Sequence, residues 1–472
     1  MHRVPKNLKS IDISVILGIS IFLFLVLPFI KVLPYLDGET EFIQDYELYT
    51  EGFQRFFHTV KSTHPLGKFF FTNISFHLLG ITSISYTLPG IIMGIFAIIF
   101  FFLLTKNLFN LWIARFSVIL FSFNPIWIAE SLFSMHDFLT VTFLLMSLYF
   151  FSKKAYFLYA VCTSILVLIK EPQLLLPVCV ICIEFVSTLI YYKREKKFPK
   201  VDSLLLCFIP LGIFLGWFIF LQSFHVDIWH DWLFTPTANK GTLYTIIYNL
   251  LTLHLLNKYG LEQWKHVFIL NFHWVYWIII LIGIGVTSFQ KKKINLLEKI
   301  FSHEQLTKTF LVLLLFCVTY SYVALTVQTY AITRYILPIV PVMIIGTAWA
   351  AYSITKTNRF LGIIISSIIG CVAIVSLFSS QDPLSLLIWG KRDILQQQFY
   401  NTNNIWGGPD AIEYNLQFLL LAKKRSDIIL KHNSIFYGFS NCYWLRVDSH
   451  DVLHVMLREN MFYIPKICQV RN

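Results

Sequence analysis

Six carboxylates crowd residues 37–51: Asp37, Glu39, Glu41, Asp45, Glu47 and Glu51, in a chain of which only 14% is charged. A carboxylate within reach of an attacking hydroxyl can take its proton. A reaction that expels an anion also needs positive charge where the negative charge gathers. His64, Lys68, Lys170 and Arg334 are the candidates for that, and Asp137 is a second carboxylate, with His136 beside it. Each has a plainer role to set against the chemical one. Acids on a surface helix solvate it, Lys170 and Arg334 suit span ends where basic side chains snorkel to headgroups, His64 suits a helix cap, and His136 suits an exposed turn. Glu184 falls inside an apolar stretch, where an ionisable group needs a partner that the sequence does not name. In the tail, His450, Asp451 and His454 fit surface chemistry as well as metal binding.

The elements that must position these residues are membrane helices. Hydrophobic residues make up 56% of the 472 and aromatic residues 17%, more apolar surface than a soluble domain of this size can bury. Hydrocarbon forces each backbone group to bond within its own segment, so long apolar stretches read as spanning helices. Eleven are expected, at 13–30, 86–104, 112–129, 138–152, 155–169, 173–192, 203–222, 267–287, 309–328, 335–353 and 360–378. No small-residue cleavage site follows the first, which reads as a retained helix.

Short cytoplasmic loops keep Lys and Arg. With the N-terminus inside, the cytoplasmic segments hold 19 of the 38 basic residues, the external segments nine and the tail after the last span ten. The alternation requires the stretch Leu66 to Leu79 to lie along the membrane, because one more crossing would turn every later basic loop outward. The net charge of +12 is then a topology signal. Nucleic acid falls away as a partner, whereas anionic lipid stays compatible. Cys162, Cys179, Cys182, Cys207, Cys317 and Cys371 sit in expected spans as small core residues, and Cys442 and Cys468 in the external tail could pair.

The first external loop, 31–85, shows helical order of its own. Phe42, Tyr46, Tyr49 and Phe53 recur at three- and four-residue spacing, one apolar stripe with carboxylates on the other faces, which predicts a helix on the bilayer surface. A second surface helix follows, with Thr63 or His64 as its cap and Pro65 in its first turn. Asp37 and Glu39 come directly after the first span and Pro34, at the level where a lipid-linked group would arrive.

An acid after the first span, two surface helices and His64-Pro65-Leu66-Gly67-Lys68 together resemble the first external loop of the GT-C glycosyltransferases, family 39, the protein O-mannosyltransferases and lipid A aminoarabinose transferases. That family typically has Asp-Glu and then His-Pro-Pro-Leu. Here Asp37-Gly38-Glu39 and Leu66 depart from the pattern, leaving the catalytic carboxylate open among Asp37, Glu39 and Asp45, with Asp37 first by position and Asp45 its main rival. Glu130 to Phe138 resembles the family's second external loop, with Asp137 as its acid. Lys170-Glu171-Pro172 resembles the Thr-Lys-x-Pro turn, and Arg334-Tyr335-Ile336-Leu337-Pro338 the Arg-Tyr-x-x-Pro motif. The resemblance covers about residues 10–355.

It implies an inverting transfer of a sugar from a polyprenyl-phosphate donor to a lipid, glycan or protein acceptor at the external face of a prokaryotic plasma membrane. The loop-1 carboxylate would be the base and Asp137 the second catalytic acid. Glu39, Asp45, His64, Lys68, His136, Lys170, Glu171, Arg334 and Tyr335 would line the substrate. No cofactor is fixed by the sequence, and a divalent ion between Asp37 and Asp137 stays open, as does Asp137 orienting the acceptor or a basic side chain. The expected fold is a polytopic α-helical membrane protein of the GT-C type. Residues 1–379 would be its transmembrane domain, the aromatic loop 223–266 a wall beside the substrates, and 380–472 a small extracytoplasmic α/β domain. A lipid or lipid-linked-sugar transporter or flippase is the alternative, although such proteins commonly show repeated halves and mid-membrane polar sites.

Overall fold

The computed structural model describes residues 12–30, 41, 44–45, 48–50, 52, 66–133, 136–196, 202–223, 248, 251–252, 272–289, 304–327 and 333–379. The expected C-terminal domain, the Cys442 and Cys468 pair and most of the 223–266 loop lie outside these residues. Thirteen α-helices carry the described part: α1 Ile13–Val26, α2 Gly67–Leu79, α3 Ser83–Leu108, α4 Leu111–Ser122, α5 Pro125–Phe133, α6 His136–Ser152 and α7 Tyr156–Ile169. After them come α8 Leu175–Glu195, α9 Asp202–Ser223, α10 Trp274–Phe289, α11 Glu304–Val327, α12 Val340–Thr357 and α13 Arg359–Ser379. Short 3-10 helices at Leu27–Phe29, Glu171–Leu174 and Thr333–Ile339 join some of them.

Six of these helices are long and apolar enough to cross a membrane, seven if α4 and α5 form one broken span, and four shorter apolar helices (α1, α6, α7 and α10) occupy other expected spans. The protein is an integral membrane protein. The third expected span is not continuous: α4 and α5 meet at 57°. Pro125 opens α5 without needing an N–H partner, and Asn124 Oδ1 accepts from Trp127 N at 2.9 Å, so the break leaves few backbone donors stranded. Phe121, Trp127 and Phe138 stack across it, with ring centroids 4.4 and 4.2 Å apart. That stack supports the first turn of α6, where His136 and Asp137 sit.

In lipid, helices gain little by hiding apolar surface from one another, and close packing of small residues matters more. A Cβ on Gly94 of α3 would fall 2.4 Å from the Phe22 ring of α1, and one on Gly283 of α10 would fall 2.5 Å from Ala350 of α12. Hydroxyls within the helices bond back to their own turns, as Thr309 does to Gln305 O and Thr347 to Met343 O. Glu184, the ionisable residue within a span, finds its partner in Lys308 at 2.9 Å, and Lys308 also meets Glu304 at 2.9 Å. At the first helix, Asp12 accepts from Ser14 N as a cap and pairs with Arg115 of α4 at 2.9 Å.

α2 is helical where the sequence predicts it, but begins at Gly67, after Pro65 rather than around it, and has no side-chain cap. Its inward face is Lys68, Phe69, Thr72, Ser75 and Phe76, while Phe70, Ile74 and Leu78 are exposed at four-residue spacing. Such a helix rests one side on α3 and α7 and turns an apolar stripe outward.

Candidate active site

Lys68 is completely buried, which an ammonium tolerates only with partners. It has two. Its Nζ lies 2.8 Å from Asp45 Oδ2 and 3.1 Å from Glu41 Oε2. Both acids come from the first loop, where the described residues between 41 and 50 are helical. Four residues apart, Glu41 and Asp45 reach the same ammonium. The Phe69 and Tyr86 rings flank the ammonium, with centroids 5.1 and 5.4 Å away. Asp45 is itself fully buried, and its Oδ1 makes no hydrogen bond among the described residues. These two carboxylates therefore point inward rather than solvating a surface helix, a correction to the plainer reading of the loop.

Gly67 brings the lysine into place. A Cβ there would lie 2.6 Å from Leu168 O, so only glycine lets the start of α2 approach the backbone at the end of α7 this closely. Just beyond Leu168, the chain leaves α7 through extended Lys170 into the 3-10 turn holding Glu171 and Pro172.

Glu41 has a second contact. Its Oε1 is 2.8 Å from His136 Nδ1, and His136 is 2% exposed rather than at the surface. The neighbouring Asp137 turns to a different cation: Lys170 Nζ lies 2.5 Å from Asp137 Oδ1 and 4.1 Å from the centroid of the Tyr335 ring. Of the roles the sequence left open for Asp137, orienting a basic side chain is the one in this geometry. Lys170 is 8% exposed and turned inward, which replaces the snorkelling alternative. Glu171 is also buried. Tyr335 belongs to the 3-10 helix Thr333–Ile339, which carries the Arg334 backbone to the same place; the Arg334 side chain, Asp37, Glu39 and His64 lie outside the described residues. Glu41 is the residue that sequence reading passed over as a site candidate, and its spacing from Asp45 was the available signal. Glu130 of α5, 1% exposed, is a further buried carboxylate.

Burial disfavours the charged Asp45 and pushes its carboxyl up to about 7, against the pull of Lys68 and with a further push from Glu41. Burial also works against the Lys68 ammonium, but Asp45 and Glu41 outweigh it and leave the lysine above its ordinary value. The arrangement holds one proton-accepting carboxyl near neutrality and keeps its cation charged.

Residues 63–218 match the family described as dolichyl-phosphate-mannose-protein mannosyltransferase. The chain also superposes on the crystal structure of ArnT from Cupriavidus metallidurans bound to undecaprenyl phosphate, with a TM-score of 0.51 and 12% identity over 89% of this chain and 71% of that one. The chain has the GT-C fold. An archaeal oligosaccharyltransferase, AglB from Archaeoglobus fulgidus in complex with an inhibitory peptide and a dolichol-phosphate, aligns with a TM-score of 0.48 and 13% identity over 86% of this chain and 59% of that one. No curated protein sequence matches the chain. The matched segment begins just before Lys68 and takes in His136, Asp137, Lys170 and Glu171, while Glu41, Asp45 and Tyr335 reach the same cluster from outside it.

Proposed function

We propose that this protein is a glycosyltransferase that moves a sugar from a polyprenyl-phosphate donor to a hydroxyl-bearing acceptor at the external membrane face, with inversion at the anomeric carbon. The observation that carries it is the buried junction of Asp45, Lys68, Glu41 and His136, next along α6 from the Asp137, Lys170 and Tyr335 group. The family match and the likeness to ArnT, whose structure holds undecaprenyl phosphate, support a lipid-phosphate donor.

In this reading Asp45 is the base. Its Oδ1 accepts the acceptor's hydroxyl proton as that oxygen bonds to the anomeric carbon from the face opposite the phosphate. The bond from carbon to phosphate oxygen breaks, and polyprenyl phosphate departs with the electron pair. Lys170, Arg334, His64 and Lys68 form the basic surroundings proposed to steady it, with Asp137 and Tyr335 fixing Lys170. Phosphate leaves well as an anion, so no general acid is required. Asp37 comes first by its position in the sequence and lies outside the described residues; Asp45 is taken as the base here because its burial and its contact with Lys68 support that role.

The test is transfer by the purified protein in nanodiscs, with a panel of labelled polyprenyl-phosphate sugars. Asp45→Asn should lower turnover at least about a hundredfold, the scale of lost general-base help, while Asp37→Asn stays near wild type. The reverse pattern would assign the base to Asp37. Full turnover in both would remove the carboxylate-base mechanism.

A further inference from the structure

Each carboxylate oxygen of Glu41 lies at ion-pair distance from a side chain of a different helix, and the base mechanism itself does not require that second, bridging carboxylate. Oε2 takes the Lys68 ammonium of α2 and Oε1 takes His136 Nδ1 of α6. A lysine stem has four rotatable bonds, so one acidic partner leaves its head free to swing; a second fixes it. Lys68 held by Glu41 and Asp45 together has its charge set against one oxygen of Asp45, with the other oxygen left for a proton. The His136 contact fixes that ring as well. Its Nδ1 must carry hydrogen to donate to a carboxylate, and the Phe69 ring meets the imidazole edge to face at 5.4 Å. Because Asp137 follows directly and grips Lys170, the first turn of α6 is held by Glu41 of the first loop on one side and by the end of α7 on the other.

We propose that Glu41 is a positioning residue for sugar transfer, holding Lys68 against Asp45 and tying the first loop to α6 through His136. The inference rests on Asp45 being the base. Glu41 acts through its neighbours by shape and by charge, and the two separate on substitution. Among the described residues, the groups facing Asp45 and Glu41 are Lys68 and Thr72 from α2, Tyr86 from α3 and His136 from α6, with the Asp137 and Lys170 pair beyond. Among these, Glu41 adds negative charge beside Asp45 and makes it harder to ionise.

The experiment compares Glu41→Gln, Glu41→Asp and Asp45→Asn in the full-length protein, using the labelled polyprenyl-phosphate sugar from the panel that the wild type consumes, across pH 5.5 to 8.5. Glu41→Gln keeps the length but loses the charge: turnover should drop about tenfold or more, and the rising limb of its pH profile should move to lower pH. Glu41→Asp keeps the charge but is one methylene too short to span both partners, so turnover should drop while the limb stays in place. Thermal melting of each variant reports folding separately. Wild-type turnover in Glu41→Gln, or a loss of rate with no movement of its limb, overturns the proposal. Undiminished transfer by Asp45→Asn overturns the assignment of the base instead, so the two failures are distinguishable.

Discussion

Burial pushes the Asp45 carboxyl up to about 7, even against the Lys68 ammonium 2.8 Å away. If Asp45 must be ionised to accept a proton, turnover rises with pH through about 7 and levels above it. Lys68 lowers that value, so Lys68→Gln should carry the rising limb toward alkaline pH, opposite in sign to Glu41→Gln. A profile flat from pH 5.5 to 8.5 in the wild type would mean that Asp45 does not supply the base. Much of this cluster was legible in the sequence. His136, Asp137, Lys170 and Tyr335 sit in recognisable local motifs, and each is found beside another of the expected residues or beside Glu41. Glu41 was not: its spacing from Asp45 hints at a shared partner, but only the packing of the first loop against α2 and α6 brings it to both Lys68 and His136. The partner of Glu184 was hidden for the same reason: Lys308 reads as one more basic residue of a loop until α8 and α11 are packed together.

Helix α2 shows how an element sets the site. Within an ordinary helix, replacing glycine by alanine stabilises by about 0.5–1 kcal/mol, because the unfolded chain has less freedom to lose. Gly212 of α9 and Gly285 of α10 have nothing within 4 Å of an added Cβ, and alanine there should be neutral or slightly stabilising. At Gly67 the added carbon would stand 2.6 Å from Leu168 O, a backbone atom that cannot rotate away. Overpacking then outweighs propensity, at a cost of roughly 1–3 kcal/mol, or α2 shifts and takes Lys68 with it. Gly67→Ala should lower the melting temperature, the transfer rate or both, while Gly212→Ala and Gly285→Ala lower neither; equal behaviour of all three would refute the close approach. The long apolar helices were readable from hydropathy because lipid demands continuous backbone bonding. The break between α4 and α5 was not, since Asn124 and Pro125 satisfy that demand locally and leave the apolar run intact in sequence.

Across the whole molecule, charge is sorted by end. The start of α6, the end of α7 and the 3-10 helix before α12 meet around Asp137, Lys170 and Tyr335, and the start of α2 joins them through Gly67 and Leu168. The other ends of these and neighbouring helices carry Lys106, Arg115, Lys153, Lys154, Lys193, Lys356 and Arg359. Short loops rich in Lys and Arg stay in the cytoplasm, so we propose that this second set marks the cytoplasmic face and that the candidate site faces outward. With the eleven crossings expected from the sequence, that proposal puts the N-terminus inside and the tail outside, with α2 along the surface. In a background lacking the native cysteines, a thiol placed at Lys196 should react with a membrane-impermeant reagent only after the cytoplasmic side is opened. One placed at Asn403 should react in intact cells. Labelling of both from the same side would require α2 to cross the membrane or one of the short helices α1, α6, α7 and α10 not to, and would put the candidate site and the basic ends on faces other than those argued here.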